Sequence, residues 1–293
     1  MPTTDFAART LANQVPVITG VVKDIARITI DDGLRFDADS ARGETTREDD
    51  LYSGVRVHLG CHLATAHTRL EIDVNVGDPI SPAAQRVNVP RLLHPADTID
   101  LLGYPLHMVH AEKIVTAIQR GTVNTRWRDF ADIYLPCRSQ PVDGRLLHDA
   151  LTMVAGHRRA VLAPLADVLA GYADAPGVQA KWAAWRRKQQ FDNRLPEAFA
   201  DVLKKVLTFA DPAITSAAGN AQWRPQNLAW LLDDARCGGP ASGTYHLQIG
   251  TANLAANRAD LGESGRMGPS AIMPLTCGDA RQRTSPDVLW PLF

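Results

Sequence analysis

Two stretches of the sequence carry polar residues whose types and spacing suit phosphate chemistry. The first surrounds a Gly-x-x-Asn-Thr corner and holds one lysine, three arginines and two aspartates: Lys113, Arg120, Arg126, Arg128, Asp129 and Asp132. Lysine supplies a point charge and arginine a bidentate fork, so these cations can form a wall that binds phosphate. The alternative is a solvated helical hairpin, whose exposed ion pairs contribute only about 0.3–0.5 kcal/mol each. Three arginines within nine positions favour the phosphate wall.

The second stretch, residues 70–76, alternates strictly between apolar and polar side chains. Such alternation is typical of a strand with one buried face, and it places Glu71, Asp73 and Asn75 together on the other face. Aligned carboxylates can bind a hard divalent cation such as Mg²⁺. The alternative is the solvent face of a half-covered strand, which the alternation by itself favours. A sharp Gly-Asp-Pro exit at 77–79 leaves Asp73 near the end of the strand and strengthens the case for a site.

The hydrophobic pattern predicts the elements that position these residues. Helical spacing indicates a helix over 16–28, after a short helical stretch around 6–11, and the polar segment 37–50 is typical of a loop. Alternation predicts three strands: 55–59, 70–76 and, more weakly, 86–92. Later segments with helical spacing predict five helices: 105–120, 144–155, 160–172, 177–190 and 196–209. Gly121 ends the first of these, and Asn124 or Thr125 can cap a helix that follows it. Strands followed by helices predict an α+β fold.

Composition limits the class of protein. The 293 residues carry a formal net charge of -1, so the chain as a whole has no field that would attract nucleic acid or a membrane. Four scattered cysteines without a C-x-x-C pair argue against a zinc knuckle and for a reducing compartment. We find neither a long apolar run nor a signal-peptide pattern, and therefore expect a cytoplasmic protein without a membrane partner. The Gly-, Pro- and Ser-rich residues from about 231 predict an irregular, poorly ordered tail.

A basic and aromatic segment, residues 181–188, offers a second binding hypothesis. Its two tryptophans and its cations can stack bases and contact the phosphates of RNA. The simpler interpretation is that Trp182 and Trp185 anchor a core face and that Arg186, Arg187 and Lys188 form a solvated end. His58 and His62 flank a glycine, but without a matching acid we interpret them as surface or packing residues.

Residues 104–132 resemble the nucleotidyltransferases of the AbiEii/AbiGii toxin family, to which the MenT-type toxins belong. The family has a Tyr-Pro-Leu-like entry, an Ala-Glu-Lys helix, an Arg-Gly-x-x-Asn-Thr-Arg corner and an Arg-Asp-x-x-Asp helix in this order. The matching segments here are Tyr104 to Leu106, Ala111 to Lys113, Arg120 to Arg126 and Arg128 to Asp132. The likeness extends upstream through residues 52–56 and 72–74 and, more loosely, down to about 210.

This resemblance implies a polymerase-β-like nucleotidyltransferase core that transfers NMP from an NTP, with Mg²⁺, to an RNA acceptor such as the 3′ end of tRNA. It also implies a cognate antitoxin. By position, Lys113 would contact the triphosphate, Asp129 would orient or activate the site, and Asp73 would be the carboxylate of the later core strand. From their charge we expect Arg120, Arg126 and Arg128 to bind the nucleotide together with Lys113. The domains expected are a partial nucleotidyltransferase core at 1–135, a helical region at 136–230 and the irregular tail at 231–293.

The sequence departs from the family pattern at its beginning. Family members begin with a Gly-Ser loop and, about ten residues later, an Asp-x-Asp strand that supplies the principal metal ligands, and neither motif occurs here. We expect Asp5 to be the last remnant of that strand and to bind metal with Asp73. Two hypotheses follow: an active nucleotidyltransferase whose missing segment is encoded upstream, or a catalytically dead, N-terminally truncated remnant that at most binds NTP or RNA. A plain RNA-binding scaffold that uses residues 182–188 is a third hypothesis.

Overall fold

The computed structural model describes residues 3–8, 11–46, 54–77, 79–91, 96–232 and 289–292. The strands are β1 (Thr3–Ala8), β2 (Leu34–Thr46), β3 (Gly54–Leu63), β4 (Ala66–Val76), β5 (Gln85–Pro90), β6 (Thr98–Gly103), β7 (Val142–Asp143), β8 (Ala221–Arg224), β9 (Ala229–Leu232) and β10 (Leu289–Leu292). The helices are α1 (Val15–Ala26), α2 (Leu106–Arg120), α3 (Trp127–Cys137), α4 (Gly144–His157), α5 (Leu165–Val168), α6 (Val178–Lys188) and α7 (Phe199–Ile214). This order of strands and helices confirms the predicted α+β class.

A five-stranded sheet with the order β10-β1-β4-β3-β2 forms the first half of the molecule. The alternating residues of β3 and β4 bury one face, where Val55, Val57 and Val74 pack under Ile18 and Val22 of α1. Side chains of the opposite parity, including Asp73, therefore lie on the other face. The parallel register of β1 and β4 places the backbone of Asp5 directly beside Asp73, so the sheet brings these two positions together.

The helical half is built around a larger core, to which α2, α3, α4, α6 and α7 all contribute. Its largest fully buried side chains include Phe130, Trp182 and Phe199, whose rings contact one another edge-on or tilted. Ala7 of β1 and Tyr104 belong to the same core, so the polar face of the sheet adjoins α2 at that end. None of the helices in the described ranges combines the length and apolar character that crossing a bilayer requires.

Two local predictions in the sheet are wrong. The segment predicted as a helical stretch around 6–11 begins in β1, because residues 3–8 exchange hydrogen bonds with β4 and β10 on either side. The segment predicted as a loop at 37–50 continues β2 as far as Thr46, with a bulge between Asp37 and Arg42, and its last four positions, 47–50, lie outside the described residues. β2 is an edge strand whose side chains are largely exposed, so polar residues can form it wherever β3 supplies the backbone partners.

The later elements mostly agree with their predictions. Strands β3, β4 and β5 and helices α1, α2, α4, α6 and α7 lie where the hydrophobic pattern predicts them. The helix predicted over 160–172 is wrong in length, because it forms only from Leu165 to Val168, directly after Pro164. The predicted irregular tail, 231–293, is wrong at both of its described ends: Leu231 and Leu232 belong to β9, and Leu289–Leu292 form a strand that pairs with β1. The predictions for 233–288 and 293 lie outside the described residues.

Candidate functional site

The corner between α2 and α3 is fixed by local backbone and side-chain contacts. Gly121 ends α2 with φ +54, a conformation that glycine adopts easily, and a single 3-10 turn follows. Asn124 is fully buried, and its side-chain oxygen accepts a hydrogen bond of 2.9 Å from the backbone N–H of Arg126. The hydroxyl of Tyr172 donates to the carbonyl of Asn124, and the Tyr172 ring stacks on Trp127 at 6.1 Å. The predicted cap by Asn124 or Thr125 is wrong by one or two positions, because Arg126 precedes α3 and offers no side-chain cap.

Lys113 lies between the two aspartates of α3. Its Nζ donates to Asp129 Oδ1 at 3.1 Å and lies 3.4 Å from Asp132 Oδ2. Asp129 is nearly buried, with a side chain 6% exposed, whereas the side chains of Lys113 and Asp132 are about one quarter exposed (26% and 24%). The lysine therefore reaches from a buried carboxylate toward solvent, where an anionic ligand can approach it.

The predicted arginines differ in how closely they join this cluster. Arg126 Nε lies 3.8 Å from Asp129 Oδ2, and Arg128 Nε lies 3.6 Å from Asp132 Oδ2, as the four-residue spacing predicts. The side chain of Arg128 is 68% exposed, so its guanidinium remains accessible to solvent. Arg120, at the end of α2, is exposed and makes no ion pair with the residues that the structure describes. Arg126 and Arg128 are thus the most exposed charges that contact this cluster, and Asp129 is the most buried.

Burial and charge act in opposite directions on these groups. Burial by itself would lower the pKa of Lys113, but the carboxylates of Asp129 and Asp132 outweigh it and hold the pKa above its ordinary value. Burial also raises the pKa of Asp132, and the nearby cations Lys113 and Arg128 offset this only in part. At neutral pH Lys113 is consequently a fixed cation.

Glu112, the neighbour of Lys113 in α2, makes contacts of its own with Tyr104 and Arg158. The carboxylate of Glu112 accepts a hydrogen bond from the Tyr104 hydroxyl and lies 3.7 Å from Arg158 Nη2. Arg158 also donates to Thr116 Oγ1 at 2.9 Å, which connects the end of α4 to α2. Sequence reasoning missed these residues. Glu112 stands within the quoted Ala-Glu-Lys motif, whereas Arg158, 46 positions away, carries no signal in its own neighbourhood.

The side chains around Asp73 form ion pairs between neighbouring strands. We call them the Asp73 group: Glu44, Arg56, His58, Glu71 and Asp73. Arg56 of β3 faces Asp73 of β4 and donates to both of its carboxylate oxygens, from Nε at 2.6 Å and Nη2 at 2.7 Å. These hydrogen bonds raise the pKa of Arg56. His58 lies between two acids, at 3.2 Å from Glu44 and 3.6 Å from Glu71. The prediction that His58 lacks a matching acid is therefore wrong, because the acids come from neighbouring strands rather than from its own segment.

The potential ligands around Asp73 that the structure describes do not form a preorganised Mg²⁺ site. Both oxygens of this carboxylate already accept hydrogen bonds from Arg56, so a cation would have to share them with the guanidinium or displace it. Among the described residues we find no group of three or more potential ligands that could hold a metal ion. Asp5 occupies the adjacent register position, as the predicted pair requires, but its role as a ligand stays a prediction.

The structure brings the predicted residues together in two groups. Lys113, Asp129, Arg126 and Arg128 form one cluster across α2 and α3, while Asp73 and Asp5 lie side by side in the sheet. Within the described residues, no hydrogen bond or ion pair links the Asp73 group to the Lys113 cluster.

The basic segment in α6 has a partly different structure from the predicted one. Trp182 is fully buried, as predicted for a core anchor, and Arg187 and Lys188 are exposed. Arg186 is buried, contrary to the prediction, because its guanidinium turns inward and contacts the carbonyl and the carboxylate of Asp192, each at 3.3 Å.

Comparison with known proteins identifies the family. Neither the curated proteins nor the solved structures contain a match to this chain. The family model described as nucleotidyl transferase AbiEii toxin, type IV toxin–antitoxin system, matches residues 5–220, which include α2, α3 and β4. Because this match covers most of the sequence, the chain belongs to the AbiEii nucleotidyl transferase toxin family.

Proposed function

We propose that this chain is a toxin enzyme that transfers a nucleoside monophosphate from an NTP to an RNA acceptor, the 3′ end of tRNA. The family supplies the class, a nucleotidyltransferase toxin with a nucleotide substrate and a cognate antitoxin. The observation that supports activity in this chain is the position of Lys113 between Asp129 and Asp132, with Arg126 and Arg128 beside it. Paired cations on a carboxylate support are suited to holding a polyphosphate in one orientation.

The transfer itself is an in-line displacement. The 3′ oxygen of the acceptor attacks the α-phosphorus of the NTP, a new oxygen–phosphorus bond forms, and the bond to the α–β bridging oxygen breaks. Pyrophosphate leaves with the electron pair, and the hydroxyl proton passes to a carboxylate or to water. The protein's contribution is to position the triphosphate and to stabilise negative charge as it moves onto the leaving group.

Lys113 would bind the triphosphate as a fixed cation. Its raised pKa keeps it protonated at every physiological pH. Asp129 holds the ammonium in place through the 3.1 Å hydrogen bond and, being nearly buried, does not itself approach the substrate readily. Arg126 and Arg128 add guanidinium forks at the exposed side of the cluster. Arg120 lies farther along α2 and would contact only an extended ligand.

A divalent metal such as Mg²⁺ is generally required by nucleotidyltransferases, where it neutralises the phosphates of the NTP. We keep Asp73, with Asp5, as the proposed ligands in this chain. Asp73 would then have to share its carboxylate oxygens with the Arg56 guanidinium.

A second candidate function is binding without transfer. The doubly hydrogen-bonded Asp73 favours it, because the adjacent Arg56 guanidinium already neutralises this carboxylate and repels a metal cation. In that case the Lys113 cluster would still bind NTP, and the protein would sequester nucleotide or RNA rather than modify it.

The test is label transfer with the purified full chain. Each α-labelled NTP is incubated with total tRNA and Mg²⁺, and the RNA is separated and counted. The expected result is label on intact tRNA and none on tRNA whose 3′ terminal diol has been oxidised with periodate. Equal labelling of both would rule out 3′ transfer. NTP binding without transfer from any of the four nucleotides would favour the second candidate.

A further inference from the structure

Helix α6 and the loop after it carry an unpaired cluster of cations, which we call the α6 basic patch: Lys181, Arg187, Lys188 and Arg194. All four side chains are exposed, and none makes an ion pair with the described part of the chain. The segment 181–194 contains a single acid, Asp192, whose carboxylate is taken by the buried Arg186. In a chain with a net charge of -1, this is a local concentration of positive charge.

Three aromatic rings of the same segment stack in series and limit how the patch can contact a partner. Trp185 stacks on Trp182 at 5.3 Å and on Phe191 at 5.6 Å, and the guanidinium of Arg194 lies over the Phe191 ring at 5.4 Å. The rings are therefore engaged with one another and with a cation. They hold α6 and its loop in place but are poorly placed to stack incoming bases. What the patch offers to a partner is charge.

One aromatic contact links α6, which carries the patch, to α3, which carries the aspartates of the Lys113 cluster. Trp182 meets the ring of Trp127 edge-on at 6.2 Å, and Trp127 is the first residue of α3. Arg126 and Arg128 flank Trp127 in the sequence, while Lys181 flanks Trp182. The two rings therefore bring the start of α3 and the middle of α6 into contact, and the cations that flank the rings in the sequence belong to these two segments. An 11-residue helix is about 16 Å long, a length that spans several phosphates of a nucleic-acid strand.

We propose that the α6 basic patch binds the phosphate backbone of the acceptor RNA and thereby delivers its 3′ end to the Lys113 cluster. This inference rests on the proposed function, since it names the surface on which the acceptor of that reaction docks. The contacts are to phosphates, so binding is strongly salt-dependent and largely independent of sequence. The patch does not touch the reacting atoms.

The experiment compares two triple variants of the full chain. The patch variant Lys181→Gln/Arg187→Gln/Lys188→Gln and the control variant Arg35→Gln/Arg69→Gln/Arg86→Gln each lose three exposed cations without described ion pairs. Binding of labelled tRNA is measured by anisotropy over a range of salt concentrations. We expect the patch variant to bind at least about tenfold more weakly at low salt, with the log–log salt slope reduced by about 2–3, and the control variant to change little.

Each outcome bears on one claim. Equal weakening in both variants, or none in the patch variant, would overturn the docking surface. Patch-dependent binding to vesicles with anionic lipid, together with unchanged tRNA binding, would overturn it in favour of a membrane surface. If the wild type transfers NMP, we expect the patch variant to show a raised KM for tRNA at unchanged kcat. If the wild type binds tRNA through the patch but transfers nothing, the proposed function fails and the docking surface stands.

Discussion

The Lys113 cluster and the Asp73 group are both made of opposite charges, but they face their surroundings differently. In the helical cluster one ammonium lies between two carboxylates, and two further guanidinium groups remain at the surface. In the sheet, one guanidinium occupies both oxygens of one carboxylate. The helical cluster therefore still has positive charge to offer an anion, whereas the carboxylate of Asp73 is already neutralised by the Arg56 guanidinium. We propose the first group as the triphosphate site; at the second, Arg56 competes with any metal cation.

The largest expected effect comes from Lys113, the centre of the helical cluster. Replacing it with Ala removes the cation that would hold the triphosphate, and loss of one such contact typically reduces kcat by about 10²–10³. It also leaves the nearly buried Asp129 beside Asp132 without its main partner, which should lower the free energy of unfolding by about 2–4 kcal/mol. Label transfer and denaturant unfolding measure the two effects.

Lys113→Arg is the matched control for this prediction. It keeps the charge and should retain most of the stability while it loses transfer through altered geometry. A Lys113→Ala protein that folds normally and transfers as fast as the wild type would show that the cluster is a structural ion network and not a substrate site.

A second prediction concerns how the stability of the helical half of the molecule responds to acid. His110 lies one turn before Lys113 in α2 and is fully buried against Phe209, and neither of its ring nitrogens has a hydrogen-bond partner in the described part of the chain. Burial lowers its pKa to about 3, and the neighbouring His107 adds to this shift. The unfolded chain therefore binds a proton below about pH 6.5 that the folded chain cannot bind, so stability falls as the pH falls from about 6.5 toward 3.

For His110 alone the loss at pH 5 relative to pH 8 is about 2 kcal/mol. His110→Leu should remove this part of the pH dependence, whereas His67→Gln, at an exposed position in the sheet, should leave it unchanged. Urea unfolding at the two pH values measures the difference. Equal pH dependence in the wild type and in His110→Leu would show that this histidine is not the acid-sensitive group of the helical half.

The same contrast explains how much the sequence could predict. The Lys113 cluster lies on two consecutive helices, and the four-residue spacing of Arg128 and Asp132 places that pair together without knowledge of the rest of the chain. The contact of Lys113 with Asp132 depends instead on how the corner packs α2 against α3. The partners of Asp73 come from other strands. Whether Asp73 faces Arg56 depends on the register of β3 and β4, which is set by a two-residue turn at Ala64 and Thr65. This turn lacks the Gly or Asn typical of such hairpins, so the sequence does not reveal the register. β1 is an example of the same limit, because pairing with β4 and β10 decides its conformation.

The third prediction tests whether the Arg56 guanidinium weakens metal binding at Asp73. Arg56→Gln removes two hydrogen bonds to a partly buried carboxylate and should lower the free energy of unfolding by about 1–3 kcal/mol. It also frees both oxygens of Asp73, so the affinity for Mn²⁺, a spectroscopic substitute for Mg²⁺, should rise. Electron paramagnetic resonance titration of the wild type and the variant measures this affinity. The control is Arg56→Gln/Asp73→Asn, in which the rise in Mn²⁺ affinity should disappear. A wild type that binds Mn²⁺ as tightly as Arg56→Gln would show that Arg56 does not weaken metal binding at Asp73.

The smallest expected effect concerns Arg128, which has the same chemistry as Arg56 but a side chain that is 68% exposed. Its pair with Asp132 at 3.6 Å is an i,i+4 surface pair, so Arg128→Gln should change the free energy of unfolding by no more than about 0.5 kcal/mol. If its guanidinium binds the triphosphate, however, the KM for NTP should rise several-fold while kcat changes little, because the contact is made equally in the ground and transition states. Arg120→Gln, which removes an exposed cation without a described ion pair, serves as the comparison. A rise in KM for Arg128→Gln alone would confine the nucleotide to the α3 side of the corner, and an equal rise for both would place Arg120 in the site as well. No change in either would leave Lys113 and Arg126 as the only cations of this corner that can hold the nucleotide.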